Sequence, residues 1–114
     1  MHIESYNFGN IVIDGRRYTS DLIIYPDGKI VDGWWRQSGH VMTKSDIESL
    51  IASKPEVIVV GTGASGQLKP ERGIEKTLSK KGIKMIAAPS SQALNHFNEL
   101  SPTKRVGACF HLTC

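Results

Sequence analysis

The sequence predicts an α/β domain: three antiparallel strands followed by helix and strand in alternation. Three observations carry this. Asp14-Gly15 and Pro26-Asp27-Gly28 stand between runs of β-branched and aliphatic residues as turn signals. Glu56–Val60 and Ile83–Ala88 are short, almost continuous apolar runs, suited to strands covered on both faces. Segments with helix start and stop signals separate these runs from each other and from the last strand, and strands joined by single helices form a right-handed, mostly parallel sheet.

The elements follow in order. Asn10–Asp14 is the first strand, and Asp14-Gly15 turns it because both positions tolerate positive φ. Arg17–Tyr25 returns, with Tyr18, Ser20, Leu22 and Ile24 alternating against Thr19, Asp21, Ile23 and Tyr25. Lys29–Trp35 is the third strand of this meander, which packs as a second sheet or extends the first. Thr43–Ser53 is the first helix: Thr43 with an acid three residues later resembles a capping box, Ile47, Leu50 and Ile51 share a face, and Pro55 stops it. Gly61–Lys69 is a glycine-rich loop leading to Pro70, placed at the first turn of a second helix. Ile74 and Leu78 align four apart along that helix, and Lys80, Lys81 and Gly82 suit its carboxyl end. Pro89-Ser90-Ser91 opens a third helix with Ala93, Leu94, Phe97 and Leu100 inward. Arg105–Cys114 is the last strand. There is no repeat, low-complexity tract or linker, so residues 1–114 read as one domain.

Composition narrows the function classes. At 114 residues, 39% hydrophobic and 22% charged, the chain is too apolar for disorder and long enough for a core of its own. The net charge of +3 comes from scattered pairs, Arg16-Arg17, Lys80-Lys81 and Lys104-Arg105, not from a basic stripe, so nucleic acid is not the expected partner. The aliphatic run Val57–Val60 is far short of the ~20 residues of a spanning helix, so no membrane partner is expected either. Met1-His2-Ile3-Glu4 is neither a basic start to an apolar stretch nor Arg-rich and acid-poor, so no secretory or transit signal is expected. Cys109 and Cys114 lie five positions apart in extended chain, about 16 Å, beyond disulfide reach. They read as free thiols in a reducing compartment, and a cytoplasmic location is expected. Two Cys and four His give no zinc spacing, and no metal or cofactor is expected.

Three groups of residues could carry chemistry. Gly61-Thr62-Gly63-Ala64-Ser65-Gly66 follows a buried strand with GxGxxG spacing, so its amides could converge on an anion. Against a dinucleotide loop stand Gln67-Leu68-Lys69 before the helix and the lack of a following acid. The bland reading is a structural turn at the carboxyl edge of the sheet. Cys109 and His111 share one strand face, but about 7 Å apart, too far for a thiol–imidazole hydrogen bond without bending. His40 follows Gly39 in a polar loop near Arg36, where only Asp21 could orient it. Trp34 and Trp35, adjacent on a strand, point to opposite faces; both are buried in a layered fold, or Trp35 forms an aromatic contact surface beside Arg36.

Several phrases then align in order: Phe8-Gly9-x-Ile11-x-Ile13-x-Gly15, Tyr18-x-x-Asp21, Trp34-Trp35-Arg36 with Gly39-His40, Pro55-Glu56 with Gly61-Thr62-Gly63, Phe97-Asn98-x-Leu100, and Arg105-Val106 closing on His111-Leu112-Thr113-Cys114. Over nearly its whole length the chain resembles a small family of unknown function first typified by a methanogen protein, with eukaryotic relatives including the adipogenesis-associated domain protein and mitochondrial complex I assembly factor three. The resemblance implies a three-layer α/β fold: a mixed central sheet with an antiparallel last strand, flanking helices, and an N-terminal antiparallel β-meander layer. It brings no established enzyme activity and no agreed catalytic residues, so no catalytic role carries over. Gly107 and Ala108 depart from it, thinning the last strand where bulkier aliphatics are expected, and Ser90 takes the place of a Thr and is expected to cap the third helix.

The expected function is therefore a non-catalytic binding or assembly-helper domain whose contact patch holds Trp35, Arg36, Gly39 and His40, with a protein partner whose identity the sequence does not carry. A second reading is a small-molecule or anion site at Gly61, Thr62, Gly63 and Gly66. A third is thiol chemistry at Cys109 or Cys114 with His111. Self-association through an edge strand to a homodimer is also open.

Overall fold

The computed structural model describes all 114 residues. Strands β1 (Ile3–Asn7), β2 (Asn10–Ile13) and β3 (Arg16–Tyr18) form an antiparallel sheet in that order. The Asp14-Gly15 turn forms as expected, both residues at positive φ (48° and 81°), which matches the right-handed twist of the flanking strands. β1 was not legible as a strand: its residues Glu4, Ser5 and Asn7 are polar. It is held from another layer, where the side-chain amide of Asn98 accepts from Ile3 N (2.9 Å) and donates to Ile3 O (2.8 Å).

The strand expected over residues 17–25 is two strands in different sheets. β3 ends at Tyr18, and β4 (Leu22–Ile24) belongs to the central sheet. Leu22, Ile23 and Ile24 are all buried, whereas Arg16 and Arg17 are exposed. One continuous strand could not satisfy both environments. The third expected strand is shorter too: β5 (Ile30–Asp32) stops because Gly33, at φ 73°, turns the chain, and Trp34 N donates instead to Asp21 O (2.9 Å).

The central sheet has the order β5-β4-β10-β7-β9, with β7 (Val57–Thr62), β9 (Lys84–Ala88) and β10 (Val106–His111) parallel. It is mixed, as expected. The last strand is antiparallel to β4 alone and runs parallel to β7, so it sits in the middle of the sheet where direction changes. β10 ends at His111, leaving Cys114 outside the strand that was expected to hold it. β9, read as a buried strand, is the half-exposed edge.

Both faces of this sheet are covered, and side chains alternate between them. On one face Leu22, Ile24, Val57, Val59, Ala108 and Phe110 pack with Ile3, Ile11 and Ile13 of the small sheet and with Ala93 and Phe97 of α3 (Ser90–Leu100). On the other, Ile23, Ile58, Val60 and Cys109 meet Leu50 of α1 (Glu48–Ala52), Ile74 and Leu78 of α2 (Ile74–Ser79), and Met42 and Leu68. Each such aliphatic or aromatic side chain removed from water contributes about 1.5–3 kcal/mol. Gly107 is explained here: a Cβ on it would stand 2.5 Å from Leu50 Cδ1, so the thin point of β10 is where α1 presses in.

Pro70 does not open a helix. β6 (Val41–Met42) and β8 (Lys69–Pro70) form a two-stranded parallel ribbon, with Lys69 N donating to His40 O and Glu71 N to Met42 O (2.9 and 2.8 Å). Pro70 falls between those two donors, where the ladder asks it for no N–H. α2 begins only after Gly73, at φ 86°. The first expected helix is also tighter than foreseen, a 3₁₀ turn over Lys44–Ile47 running into α1, with Asp46 Oδ2 accepting from Thr43 N (2.8 Å) in half of a capping box. No helix is long and apolar enough to cross a membrane.

Candidate functional site

At the carboxyl edge of the sheet three distant side chains meet. Asp21 lies just before β4, Arg36 in the loop after β5, and His111 at the end of β10. Asp21 Oδ2 accepts from Arg36 Nη1 at 2.9 Å and from His111 Nδ1 at 2.8 Å, while its Oδ1 accepts from Leu112 N at 2.8 Å. The carboxylate thus ends the ladder at the point where β10 leaves the sheet. A carboxylate can only accept, so His111 Nδ1 carries a proton, with Nε2 on the far side of the ring. That Nε2 is buried without a hydrogen-bond partner. Arg36 Nη2 lies 3.2 Å from the same Nδ1, which makes it a cation beside the ring.

Arg36 is held on every side. Its guanidinium sits 4.6 Å from the centroid of the Trp34 ring, a cation–π contact, and Nε donates to Gly39 O at 3.1 Å. Trp34 in turn donates its indole N–H to Asp46 O (2.9 Å). Tyr6 donates to Leu112 O (2.7 Å), and burial, followed by the negative charge of Asp21 and of Cys114, pushes its phenol up from the ordinary value. His40 meets His111 edge to face, ring centroids 5.8 Å apart.

The expected patch therefore divides. Trp35 is 76% exposed, and Gly39 and His40 are exposed too. The side chain of Arg36 is 7% exposed and faces inward as the partner of Asp21. Trp34 is the buried member of the tryptophan pair. Asp21 orients His111, not His40.

Cys109 and His111 share a face of β10, as their spacing requires. Cys109 is fully buried with Sγ 3.7 Å from Met42 Sδ, and burial holds its thiol protonated far above the usual range. The Asp21–His111 pair has the form of a general base, yet its free nitrogen is sealed from solvent and reaches no nucleophile. Cys114 is exposed. No group of three His, Cys, Asp or Glu is arranged to hold a metal ion.

The glycine-rich segment closes on the chain's own last residues. Ala64 N donates to Thr113 O (2.7 Å) and Gln67 N to Cys114 O (3.0 Å). Gly63, at φ 98°, has no room for a Cβ, which would stand 2.6 Å from Thr113 O. Gly61 lies within β7, where a Cβ would strike the Phe110 ring and approach Ser90 Oγ at 2.8 Å. Ser90 does not cap α3: its hydroxyl donates to His111 O (2.7 Å) and accepts from Gly63 N (3.0 Å), tying β10 to β7. Thr62 is register-paired with His111 and, with Gly66, lines a cavity of about 360 Å³ that also touches Ser65, Lys69 and Ala88.

Spacing alone misses Asp21–His111, Ser90–His111 and Asn98–Ile3. The signal lay in the closing His-Leu-Thr-Cys, whose polar residues follow an apolar strand without a turn residue between them.

Comparison with known proteins bears on the whole chain. A crystal structure of a conserved hypothetical protein from Pyrococcus horikoshii OT3 is 30% identical, with a TM-score of 0.87 over 100% of both chains. A structure named MT938 is 28% identical, with a TM-score of 0.82 over 99% of this chain and 98% of that one. A Xanthomonas campestris protein at 20% identity shares the fold, with a TM-score of 0.78 over 96% of this chain and 83% of that one. Residues 3–111 match the model of a family described as protein of unknown function (DUF498/DUF598), and the chain belongs to that family.

Proposed function

We propose that this domain is a non-catalytic protein-binding module whose contact surface is centred on Trp35. The observation that carries the reading is an exposed aromatic between two anchored neighbours. Trp35 stands 76% exposed between Trp34, fixed by burial and its indole hydrogen bond, and Arg36, fixed by Asp21 and Gly39. A large apolar side chain on an immobilised segment loses little entropy on binding, and tryptophans of this kind dominate interface energetics. Gly39 and His40 are exposed in the same loop, and Val31 is an exposed apolar residue of the edge strand β5. The free thiols Cys109 and Cys114 suit work in a reducing compartment.

The test is affinity capture from the native lysate with wild-type and Trp35→Ala protein. Arg36 is left intact because it belongs to the buried cluster. We expect a protein captured by wild type and lost with Trp35→Ala while the melting temperature moves by no more than a few degrees. An identical captured set would refute the reading.

A further inference from the structure

We propose that the cavity at the carboxyl ends of β7 and β9 binds a small oxyanion, the phosphate or carboxylate group of a small molecule. This inference stands apart from the Trp35 surface and takes its donors from side chains, not from the glycine-loop amides, of which Ala64 and Gln67 are spent on Thr113 and Cys114.

Four observations converge. The first is position: ligands of open α/β sheets bind outside the carboxyl ends of parallel strands, and Thr62, Ala87 and Ala88 are the last residues of β7 and β9. Small residues there, Gly66, Ala87 and Ala88 with Pro70 and Pro89, leave about 360 Å³ open, at the small end of the range for ligand sites. The second is Thr62. It is only 6% exposed, yet its hydroxyl bonds to nothing in the protein and lines the cavity. That hydroxyl stands beside Gly66, another residue of the lining, where a Cβ would lie 3.6 Å from Thr62 Oγ1, and it is free to donate to a bound acceptor.

The third is charge. Lys69 is the one charged residue of the lining and makes no ion pair, while Ser65 supplies a second hydroxyl. Glu71, two residues on, is drawn elsewhere, its Oε2 accepting from Lys44 N. A lining with one cation, two hydroxyls and no acidic side chain favours an anion with several acceptor oxygens. The fourth is the amino end of α3, an eleven-residue helix entered through Pro89, which lines the cavity and brings the positive end of the helix dipole to it. Of the larger cavities, both about 530 Å³, one mixes Glu75 with Lys76 and Lys84, the other Glu56 with Lys54 and Lys81. Neither is lined by a hydroxyl on a buried residue.

The experiment is a titration of ¹⁵N-labelled protein with inorganic phosphate and, separately, acetate at constant ionic strength, read by amide chemical shifts. We expect saturable shifts confined to residues 62–69 and 87–91. Phosphate binding should weaken roughly tenfold in Thr62→Val, which keeps the side-chain shape, and by as much in Lys69→Gln. Should Thr62→Val lose its dispersed spectrum, Ser65→Ala at the exposed rim replaces it with the same expectation. Tighter phosphate than acetate assigns a phosphate-bearing ligand; equal affinity or better acetate assigns a carboxylate. Trp35→Ala should leave the titration unchanged, so the two proposals fail separately. Shifts that never saturate, that scatter over the surface, or that persist undiminished in the variants would overturn the site.

Discussion

Asp21 Oδ2 lies 2.8 Å from His111 Nδ1 although ninety positions separate the two residues. The same carboxylate takes Arg36 and the amide of Leu112, so one side chain fastens the entry to β4, the loop after β5 and the exit from β10. Four polar groups converge in a partly buried site, and each finds a partner there.

Removing the carboxylate should therefore cost more than a surface ion pair. Asp21→Ala leaves the Arg36 guanidinium buried without its counter-charge and Leu112 N without an acceptor. We expect a loss of about 3–5 kcal/mol, against about 0–1 kcal/mol for an exposed pair. Urea denaturation read by tryptophan fluorescence measures it; a change below about 1 kcal/mol would mean that the cluster is solvated in solution.

Asn98 is predicted to matter more than its place on a short helix suggests. Its amide replaces a neighbouring strand for Ile3, donating and accepting once each. Asn98→Ala should cost about 1–3 kcal/mol from the two lost hydrogen bonds. Hydrogen exchange should show β1 losing protection before the central sheet; uniform loss across the domain would contradict that order.

The glycines separate into two kinds. Gly15→Ala meets nothing within 4 Å and should cost about 1 kcal/mol for its positive φ alone. Gly63→Ala adds a collision with the backbone of Thr113 and Cys114, and Gly107→Ala one with Leu50. Overpacking of this kind costs about 1–3 kcal/mol, and at Gly63 the φ strain adds to it. Melting temperatures should fall in the order Gly15→Ala least, Gly63→Ala most. The reverse order would show that the last residues do not close on the loop.

Cys109 should stay silent toward thiol reagents. In the native protein iodoacetamide is expected to label Cys114 alone, with Cys109 labelled only through unfolding. The thiol also gives a pH dependence whose sign is fixed. Its folded pKa is raised above the ordinary 9.0 by burial, so the folded state holds the proton longer than the unfolded chain. That contribution is fully present below about pH 9 and is lost as pH climbs toward the folded value, at up to about 1.4 kcal/mol per pH unit. The wild-type denaturation midpoint should fall more steeply above pH 9 than that of Cys109→Ala, because Tyr6 and the lysines act equally on both. Parallel curves would place Cys109 in contact with water.

Much of this molecule was readable along the chain. The alternation of Leu22, Ile23 and Ile24, the double-sided runs of β7, the Asp14-Gly15 turn and the inward face of α3 follow from local spacing and turn chemistry, which act within a few residues. The pairing of Trp34 inside with Trp35 outside was one of two readings open on the same grounds. What escaped was set by contacts over tens of residues. Pro70 lies in a strand because β6 offers it a ladder needing no N–H. β1 exists because Asn98 and the isoleucine cluster hold it. Arg36 turns inward because Asp21 waits there.

The α/β class, the positions of most elements and the two-sided burial of the central strands could be read along the chain, since periodicity and turn residues are local properties. That β10 is the middle strand, that Asp21 meets His111, that the glycine loop grips the final residues and that Thr62 lines an open cavity emerged with the folded chain. Those are relations between segments far apart in the chain. They arise from which surfaces bury each other, a free energy shared by the whole fold and written in no single stretch of it.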